Sequence, residues 1–250
     1  MQVRAEDVSF SYGNFRALKQ VSFKVGSGDM LAIIGQNGSG KSTLLKCINR
    51  ILKISDGSIC IDDIPLVSIP ASRLARMIAY IPQTEETVNG ITVFDTVLLG
   101  RKPYIGSRPT EGDMELVARL LTRMELDQIA MRHLNTLSGG QQQRVFIARA
   151  LAQQPSVLLL DEPIANLDIN HQMKVMKLLQ QLTREGMTVI ITIHDINMAA
   201  RFCNKALMLK QGKVFASGLQ SVYTPENIEN LYDIQVDVLH HKDCICIIPQ

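Results

Sequence analysis

A glycine-rich segment of nine residues constrains the fold of this chain more than any other feature. It reads Gly35-Gln36-Asn37-Gly38-Ser39-Gly40-Lys41-Ser42-Thr43 and stands between an apolar run, residues 30–34, and a helix-like run, residues 44–51. Glycines let backbone N–H groups turn inward and approach a phosphate closely. The N-terminus of the following helix adds partial positive charge. The pattern G-x-x-x-x-G-K-[ST] between a strand and a helix therefore predicts a phosphate-binding loop.

Apolar runs alternate with helical patterns along most of the chain. Residues 157–160 and 189–193 are typical of buried strands, and residues 141–153 and 173–183 of helices. This alternation predicts a largely parallel sheet that is covered on both faces. Near the N-terminus, apolar residues alternate with polar ones and predict two half-buried strands: Val8, Phe10 and Tyr12 in the first, Val21, Phe23 and Val25 in the second.

Two segments depart from this alternation. Residues 84–136 carry little strand signal and predict a helical insert, with helices at 92–99 and 115–124 and a loop over 100–112. At the C-terminus, Pro225 follows a capping threonine and predicts a helix that runs to about Tyr232. Beyond it, Val236, Val238 and residues 244–248 predict short edge strands.

Composition narrows the class of protein. The 250 residues carry 26 Lys and Arg against 24 Asp and Glu, a net charge of +2, so nucleic acid is not indicated as a partner. The apolar runs are far shorter than the ~20 residues of a membrane span, and no secretory signal is visible. The five cysteines are scattered, which favours a reducing cytosol over a disulfide framework.

Charged side chains follow the predicted strands at one rim of the sheet, where ligands of open parallel sheets bind. Asp161 and Glu162 end one strand and His194 follows the next. We predict that Lys41 brings a cation to the β- and γ-phosphates and that the Ser42 hydroxyl and Asp161 hold Mg²⁺. Glu162 would polarise the attacking water, and His194 would contact the γ-phosphate. The ordinary alternatives are a capping aspartate and a core or surface histidine.

The segment Leu137-Ser138-Gly139-Gly140-Gln141 decides between families of phosphate-binding proteins. Together with the glycine-rich loop and the acids at 161 and 162, it resembles the ATP-binding cassette (ABC) family, whose signature it matches letter for letter. The resemblance covers essentially the whole chain. It implies an α/β P-loop NTPase (RecA-like) core with a mostly parallel sheet and an N-terminal antiparallel β subdomain, formed by residues 1–83 and 137–250. Residues 84–136 would be an inserted α-helical subdomain of this single ATPase domain.

The resemblance also implies ATP and Mg²⁺ as ligands and assigns individual roles. Tyr12 would stack on adenine, although aromatic residues also favour strands for their own sake. Gln83 would sense the γ-phosphate and Mg²⁺, and Glu162 would be the catalytic base with His194 and Lys41 beside it. The implied metal ligands are Ser42, Gln83 and Asp161. The implied ATP-binding residues are Tyr12, Gly35, Gln36, Asn37, Gly38, Ser39, Gly40, Lys41, Ser42, Thr43, Ser138, Gly139, Gly140 and Gln141.

The residue types of the signature segment are those of a second anion-binding site. Ser138, Gly139 and Gly140 would open a helix and offer a hydroxyl and N–H groups to a phosphate; the plain alternative is a helix N-cap. In the family this site faces ATP on a partner subunit, which implies a homodimer that encloses two ATP molecules. Asp168 matches the acid of the dimer-contact loop. The segment 164–168 begins with Ile164, where many members have Thr or Ser, a departure that concerns the dimer-contact loop.

Three segments resemble the ATPase subunits of importers for iron–siderophore, haem and cobalamin: residues 92–104, 167–172 and 223–238. The implied partners are two membrane permease subunits and, indirectly, an extracytoplasmic substrate-binding protein, with this chain peripheral on the cytoplasmic face of the membrane. We expect the groove beside residues 84–105 to receive a cytoplasmic helix of the permease, with Arg101 and Tyr104 on the docking surface.

Two other classes of ATPase or GTPase compete with this reading. A soluble ABC ATPase that acts on nucleic acid or the ribosome commonly has two cassettes or a long coiled-coil insertion, for which residues 41–137 are too short. A P-loop kinase or GTPase is disfavoured by the LSGGQ segment. Near the C-terminus, His240, His241, Cys244 and Cys246 are metal-ligand types, but their spacing matches no common zinc pattern and favours a terminal strand.

Overall fold

The computed structural model describes residues 1–83, 90–241 and 244–250, with the backbone alone for residues 240, 241 and 244. The strands are β1 (Val3–Tyr12), β2 (Phe15–Val25), β3 (Met30–Ile34), β4 (Asp56–Ile61), β5 (Ile64–Pro65), β6 (Ile78–Ile81), β7 (Val157–Asp161), β8 (Thr188–Thr192), β9 (Lys205–Lys210), β10 (Lys213–Leu219), β11 (Val236–His241) and β12 (Cys244–Pro249). The α-helices are α1 (Lys41–Ile48), α2 (Ala71–Met77), α3 (Val93–Leu98), α4 (Glu111–Arg123), α5 (Gly139–Ala152), α6 (Ile169–Arg184), α7 (Ile196–Phe202) and α8 (Pro225–Tyr232).

A six-stranded sheet forms the centre, in the order β10-β9-β3-β8-β7-β6. Neighbouring strands from β9 to β6 run parallel, and β10 returns antiparallel to β9. The strands β3, β7 and β8 are buried along their whole length, as their uninterrupted apolar sequences require. Because parallel strands end at one edge, the residues that follow these three strands meet there. The predicted α/β architecture is confirmed.

Alternate residues of the central strands pack into two separate cores, as the two-residue period of a strand requires. Leu31 and Ile33 face α1 and an antiparallel sheet with the order β2-β1-β4-β5. Ala32 and Ile34 face the other way, toward α5, α6 and the insert. The predicted N-terminal antiparallel β subdomain therefore covers one face of the central sheet, and helices cover the other.

The described part of the predicted insert, residues 90–136, contains α3, α4 and short 3₁₀ turns. The predicted loop over 100–112 was too long, because α4 begins at Glu111. Thr110 caps it: the Thr110 hydroxyl accepts from the Asp113 N–H, and the Asp113 carboxylate accepts from the Thr110 N–H. A Cβ on Gly100 would lie 2.0 Å from the Arg149 carbonyl oxygen, so a glycine lets the insert approach α5 closely.

Arg101 does not lie on a docking surface, contrary to the sequence-based expectation. It is buried, and its Nε donates to Asp113 Oδ1 at 2.8 Å. Its Nη1 donates to the carbonyl oxygen of Ala152 at 2.8 Å. The guanidinium lies 4.0 Å from the centroid of the Tyr104 ring, whose hydroxyl donates to the carbonyl oxygen of Gln153. Both side chains therefore fasten the insert to α5.

The C-terminal strands β11 and β12 pair with each other in a separate two-stranded sheet, so each is an edge strand, as the sequence predicts. Asn197 of α7 holds the hairpin, because its side chain exchanges two hydrogen bonds with the backbone of Ile247. The side chains of His240, His241 and Cys244 lie outside the described part, and Cys246 is exposed. Among the described helices, none is both long and apolar enough to span a membrane.

Candidate functional site

The glycine-rich loop joins the end of β3 to α1. At Gly35, φ is +151°, and a Cβ would lie 2.1 Å from the carbonyl oxygen of Leu209. At Gly40, the residue that precedes α1, φ is +104°, and a Cβ would lie 2.8 Å from the carbonyl oxygen of Ala17. A side chain at either position would be strained and would collide with backbone. The loop can therefore pass this closely to β2 and β9 only with glycines there.

Lys41 is buried and points back into the loop that precedes it. Its Nζ donates to the carbonyl oxygens of Gly35 at 2.9 Å and Gln36 at 3.1 Å. Burial lowers the pKa of Lys41, and the charges of Glu162 and Asp161 oppose that shift. The ammonium is thus held at the N-terminus of α1, where the helix dipole also favours an anion.

Asp161, at the end of β7, is fixed by hydroxyl groups from three elements. Its Oδ1 accepts from the Ser42 Oγ at 2.9 Å and the Thr192 Oγ1 at 2.7 Å, and its Oδ2 accepts from the Tyr80 hydroxyl at 3.4 Å. Carboxylate and hydroxyl oxygens side by side are the hard donors that suit Mg²⁺. The predicted metal ligands Ser42 and Asp161 are therefore in contact.

Glu162 lies at the centre of the site. Its Oε2 accepts from the Gln83 Nε2 at 2.8 Å, and its Oε1 is in a close hydrogen bond with the His194 Nε2. The Glu162 N–H donates to the Thr192 Oγ1 at 2.8 Å. The backbone is in the left-handed region, with φ +50°, a costly conformation for a non-glycine residue that is typical of functional sites. The Gln83 side chain is therefore bonded to the Glu162 carboxylate in this structure.

A cleft of about 530 Å³ opens over these groups, a volume in the range of small-ligand sites. Two aromatic residues stand at its mouth, Tyr12 with 48% and Phe15 with 64% of its surface exposed. They are paired across the turn between β1 and β2. Exposed aromatic rings beside a phosphate site can stack on a base. The lining residues are Tyr12, Phe15, Ala17, Asn37, Gly38, Gly40, Lys41, Ser42, Thr43, Gln83, Glu162 and His194.

The signature segment lies apart from this cleft. Ser138 is the N-cap of α5 and forms a capping box with Gln141, whose side chain accepts from the Ser138 N–H at 3.0 Å. Ser138 and Gly139 are exposed, and neither lines the cleft. The predicted ATP-binding residues therefore form two separate groups: the loop and strand ends in one, and Ser138, Gly139, Gly140 and Gln141 in the other.

Sequence reasoning missed four residues of the site: Phe15 and Ala17, which line the cleft, and Tyr80 and Thr192, which bond to Asp161. Phe15 could have been found from its place directly after a Gly-Asn turn, opposite the predicted base-stacking residue Tyr12. Thr192 is a polar residue at the end of an apolar strand, two positions before His194. For Tyr80 the sequence carried no signal, because its strand was not predicted.

Comparisons with known proteins agree with this geometry. Residues 18–165 match the family model described as ABC transporter. The hemin import ATP-binding protein HmuV of Bordetella avium is 40% identical over 250 residues, covering 96% of this chain and 95% of the relative.

Two solved structures are similar over most of the chain. An inward-facing metal-chelate type ABC transporter superposes with a TM-score of 0.86 and 31% identity, covering 99% of this chain and 96% of the other. A dimeric ATP-binding cassette bound to ADP and Pi has a TM-score of 0.77 and 33% identity, covering 87% and 98%. With its phosphate loop, its strand-end acids and its signature helix in these positions, the chain belongs to the ABC transporter family and is an ATP-binding, ATP-hydrolysing cassette.

Proposed function

We propose that this chain is the ATPase subunit of an importer for a metal chelate of the iron–siderophore, haem or cobalamin type. It would act as a homodimer on two membrane permease subunits, at the cytoplasmic face of the membrane, and only indirectly on an extracytoplasmic substrate-binding protein. The observation that carries the dimer in this proposal is that Ser138 and Gly139, at the exposed start of α5, do not line the cleft. The hemin and metal-chelate relatives support the type of cargo.

The residues in the cleft account for hydrolysis. The loop and Lys41 would bind the phosphates, with Tyr12 and Phe15 against the base. Bound Mg²⁺ would supply positive charge to the β- and γ-phosphates, with Ser42 and Asp161 as its protein ligands. Glu162 would accept a proton from the water that attacks the γ-phosphorus. Gln83 and His194 orient the Glu162 carboxylate, one on each oxygen.

The second anion site explains why two copies are needed. Within one chain, α5 begins outside the cleft, so its N-terminus cannot serve the phosphate bound to the loop of the same chain. In a twofold dimer each signature helix would meet the nucleotide of the other copy, as the dimeric form of the similar cassette permits. Binding of ATP would then close the dimer, and hydrolysis would open it.

We propose the domain bounds 1–83 with 137–250 for the core and 84–136 for the insert, with the permease bound in the groove between them. This groove is lined by Ala75 of α2, by Leu99, Gly100, Lys102 and Pro103 of the insert, by Arg149 of α5 and by Gln153, which follows α5. Leu99 has 52% of its surface exposed. An apolar side chain beside the exposed Lys102 is typical of a protein contact surface.

The groove can be tested with Leu99→Asp and Lys102→Glu. Both changes lie on exposed side chains, so folding and ATP hydrolysis of the isolated chain should persist while assembly with the permease and transport fall. Met131→Asp is a matched control, because Met131 is 76% exposed elsewhere on the insert. Normal transport by both groove variants would place the permease contact elsewhere.

The proposed function is tested by purifying tagged Glu162→Gln protein with ATP from gently solubilised native cells. A polytopic membrane protein in equal copy number would support the transporter and identify its permease. Recovery of ribosomes or DNA-repair proteins alone would overturn the import proposal in favour of a soluble ABC ATPase.

A further inference from the structure

The first turn of the signature helix rests on the segment that begins α6. A Cβ on Gly140 would lie 2.3 Å from the His171 Cδ2 and 2.7 Å from its Cγ, so the imidazole fills the space beside the glycine. One residue earlier, a Cβ on Gly139 would lie 3.8 Å from the Leu167 Cδ2. His171 is therefore in direct contact with the helix turn that carries Ser138.

The Nδ1 side of the same imidazole contacts Asp168 of the dimer-contact loop. The His171 Nδ1 lies 2.6 Å from the Asp168 Oδ2, and the His171 N–H donates to the Asp168 Oδ1 at 2.9 Å. Asp168 is the N-cap of α6. These bonds, that of the N–H first, lower the pKa of Asp168. One ring thus links Gly140 of the signature helix to Asp168 of the loop.

Beside this contact, the described residues leave an apolar side chain uncovered. Ile169, between Asp168 and His171 in sequence, has 78% of its surface exposed although it is apolar. Asn166 holds a left-handed backbone with φ +60°, which fixes the course of the loop before Asp168. A second copy of this chain is the partner that the proposed dimer brings to this surface.

We propose that His171 is a positioning residue: it sets the spacing between the signature helix and the dimer-contact loop, so that both meet the partner copy as one surface. The inference rests on the proposed ATP-bound dimer. No atom of His171 belongs to the cleft that binds and hydrolyses nucleotide in its own chain. Its effect therefore falls on dimer closure and not on binding of ATP to the monomer.

The experiment measures two quantities in Glu162→Gln protein: the affinity of the monomer for ATP and the dissociation constant of the ATP-bound dimer. His171→Ala should leave the affinity of the monomer for ATP unchanged. It should raise the dissociation constant of the dimer about tenfold, within the coupling range of contacting residues. His133→Ala, at an exposed histidine of the insert, should change neither.

Two further variants separate positioning from simple packing. His171→Asn keeps a donor at the place of Nδ1 and an atom beside Gly140, and should recover most of the dimer affinity. His171→Leu fills similar space without a side-chain donor for Asp168, and its dimer affinity should stay near that of His171→Ala. If His171→Leu restores the dimer affinity as well as His171→Asn does, His171 only fills space and the proposal is overturned.

The contact itself is tested by a double-mutant cycle with Gly140→Ala, whose Cβ would collide with the ring. Gly140→Ala should weaken the dimer strongly when His171 is present and less when it is combined with His171→Ala. Additive effects, or an unchanged dimer in His171→Ala, would overturn the inference while leaving the ATP-driven dimer in place. Failure of the Glu162→Gln parent to form a dimer with ATP would instead overturn the proposed function.

Discussion

The Glu162 carboxylate has one donor on each of its oxygens, and this arrangement decides what a substitution there does. Glu162→Gln keeps the size of the side chain but removes its capacity to accept a proton. ATP should still bind, because the loop and Lys41 are unchanged, while turnover should fall by about 10²–10⁴-fold. Steady-state hydrolysis and equilibrium nucleotide binding, measured on the same sample, check both statements. Undiminished hydrolysis would show that Glu162 is not the base.

Thr192 touches both acids, since its Oγ1 donates to Asp161 and accepts from the Glu162 N–H. Thr192→Val preserves shape and removes both bonds, so the Asp161 carboxylate and the Glu162 backbone each lose a partner. We expect kcat to fall about tenfold, a loss of the size of one or two hydrogen bonds. Thr183→Val is the control, because Thr183 is also buried but bonds to the Leu179 carbonyl oxygen inside α6. Equal rates in the two variants would contradict the role of Thr192.

Residues whose chemistry follows from a motif could be found from the sequence, and residues whose role depends on packing could not. Lys41 could be predicted because it stands in the glycine-rich loop pattern, and Glu162 because it follows an apolar strand. Arg101 looked like a surface contact, because an arginine in a glycine- and proline-rich loop carries no sign of its buried partner Asp113, twelve residues further on. Thr192 and Phe15 needed the assembled sheet to show that they reach the cleft.

At the scale of elements, Arg101 fastens the insert to the core by its bond to the Ala152 carbonyl oxygen, and Asp113, also in the insert, holds the Arg101 guanidinium in place. The Thr110 N–H and then Arg101 lower the pKa of Asp113 from 3.8 to about 2. Because the folded pKa lies below that of the unfolded chain, the stabilisation is complete above about pH 4 and is lost as pH falls toward 2.

Asp113→Asn should therefore lower the Tm by several degrees at pH 7. The gap between variant and parent should narrow as the pH is lowered below 4, because Asp113 of the parent becomes protonated there. Thermal unfolding between pH 7 and 3 measures this, with the exposed Asp127→Asn as control. A gap that stays constant across this range would contradict the ionised Asp113–Arg101 pair.

A second link between elements runs from the phosphate loop to the end of α8. The Gln36 Nε2 donates to the Leu231 carbonyl oxygen at 3.1 Å and to Asp233 at 3.0 Å, and Lys210 of β9 bonds to the same carboxylate at 3.0 Å. The helix α8 itself was predicted from its cap and proline. Its place against the loop was not, because contacts between residues nearly 200 positions apart leave no local pattern.

At the scale of the whole molecule, parallel strand order brings three separate motifs to one edge, and this much followed from the sequence. Apolar runs at β3, β7 and β8 were long enough to predict. The strands β4, β5, β6, β9 and β10 were not predicted. β5 and β6 have only two and four residues, and the other three mix apolar residues with glycine, serine or lysine. The C-terminal strands had a strand signal, but the sequence did not indicate that they pair with each other in a sheet of their own.

The central claim is that the two anion sites of one chain serve two different nucleotides. Its most direct test is the mass in solution of Glu162→Gln protein, by light scattering, with and without ATP. We predict 27.8 kDa without nucleotide and twice that mass with ATP. Adding Ser138→Arg, which puts charge and bulk at the exposed start of α5, should keep the protein monomeric while it still binds ATP. An unchanged mass with ATP bound to the Glu162→Gln protein, or a dimer that Ser138→Arg leaves intact, would contradict the account.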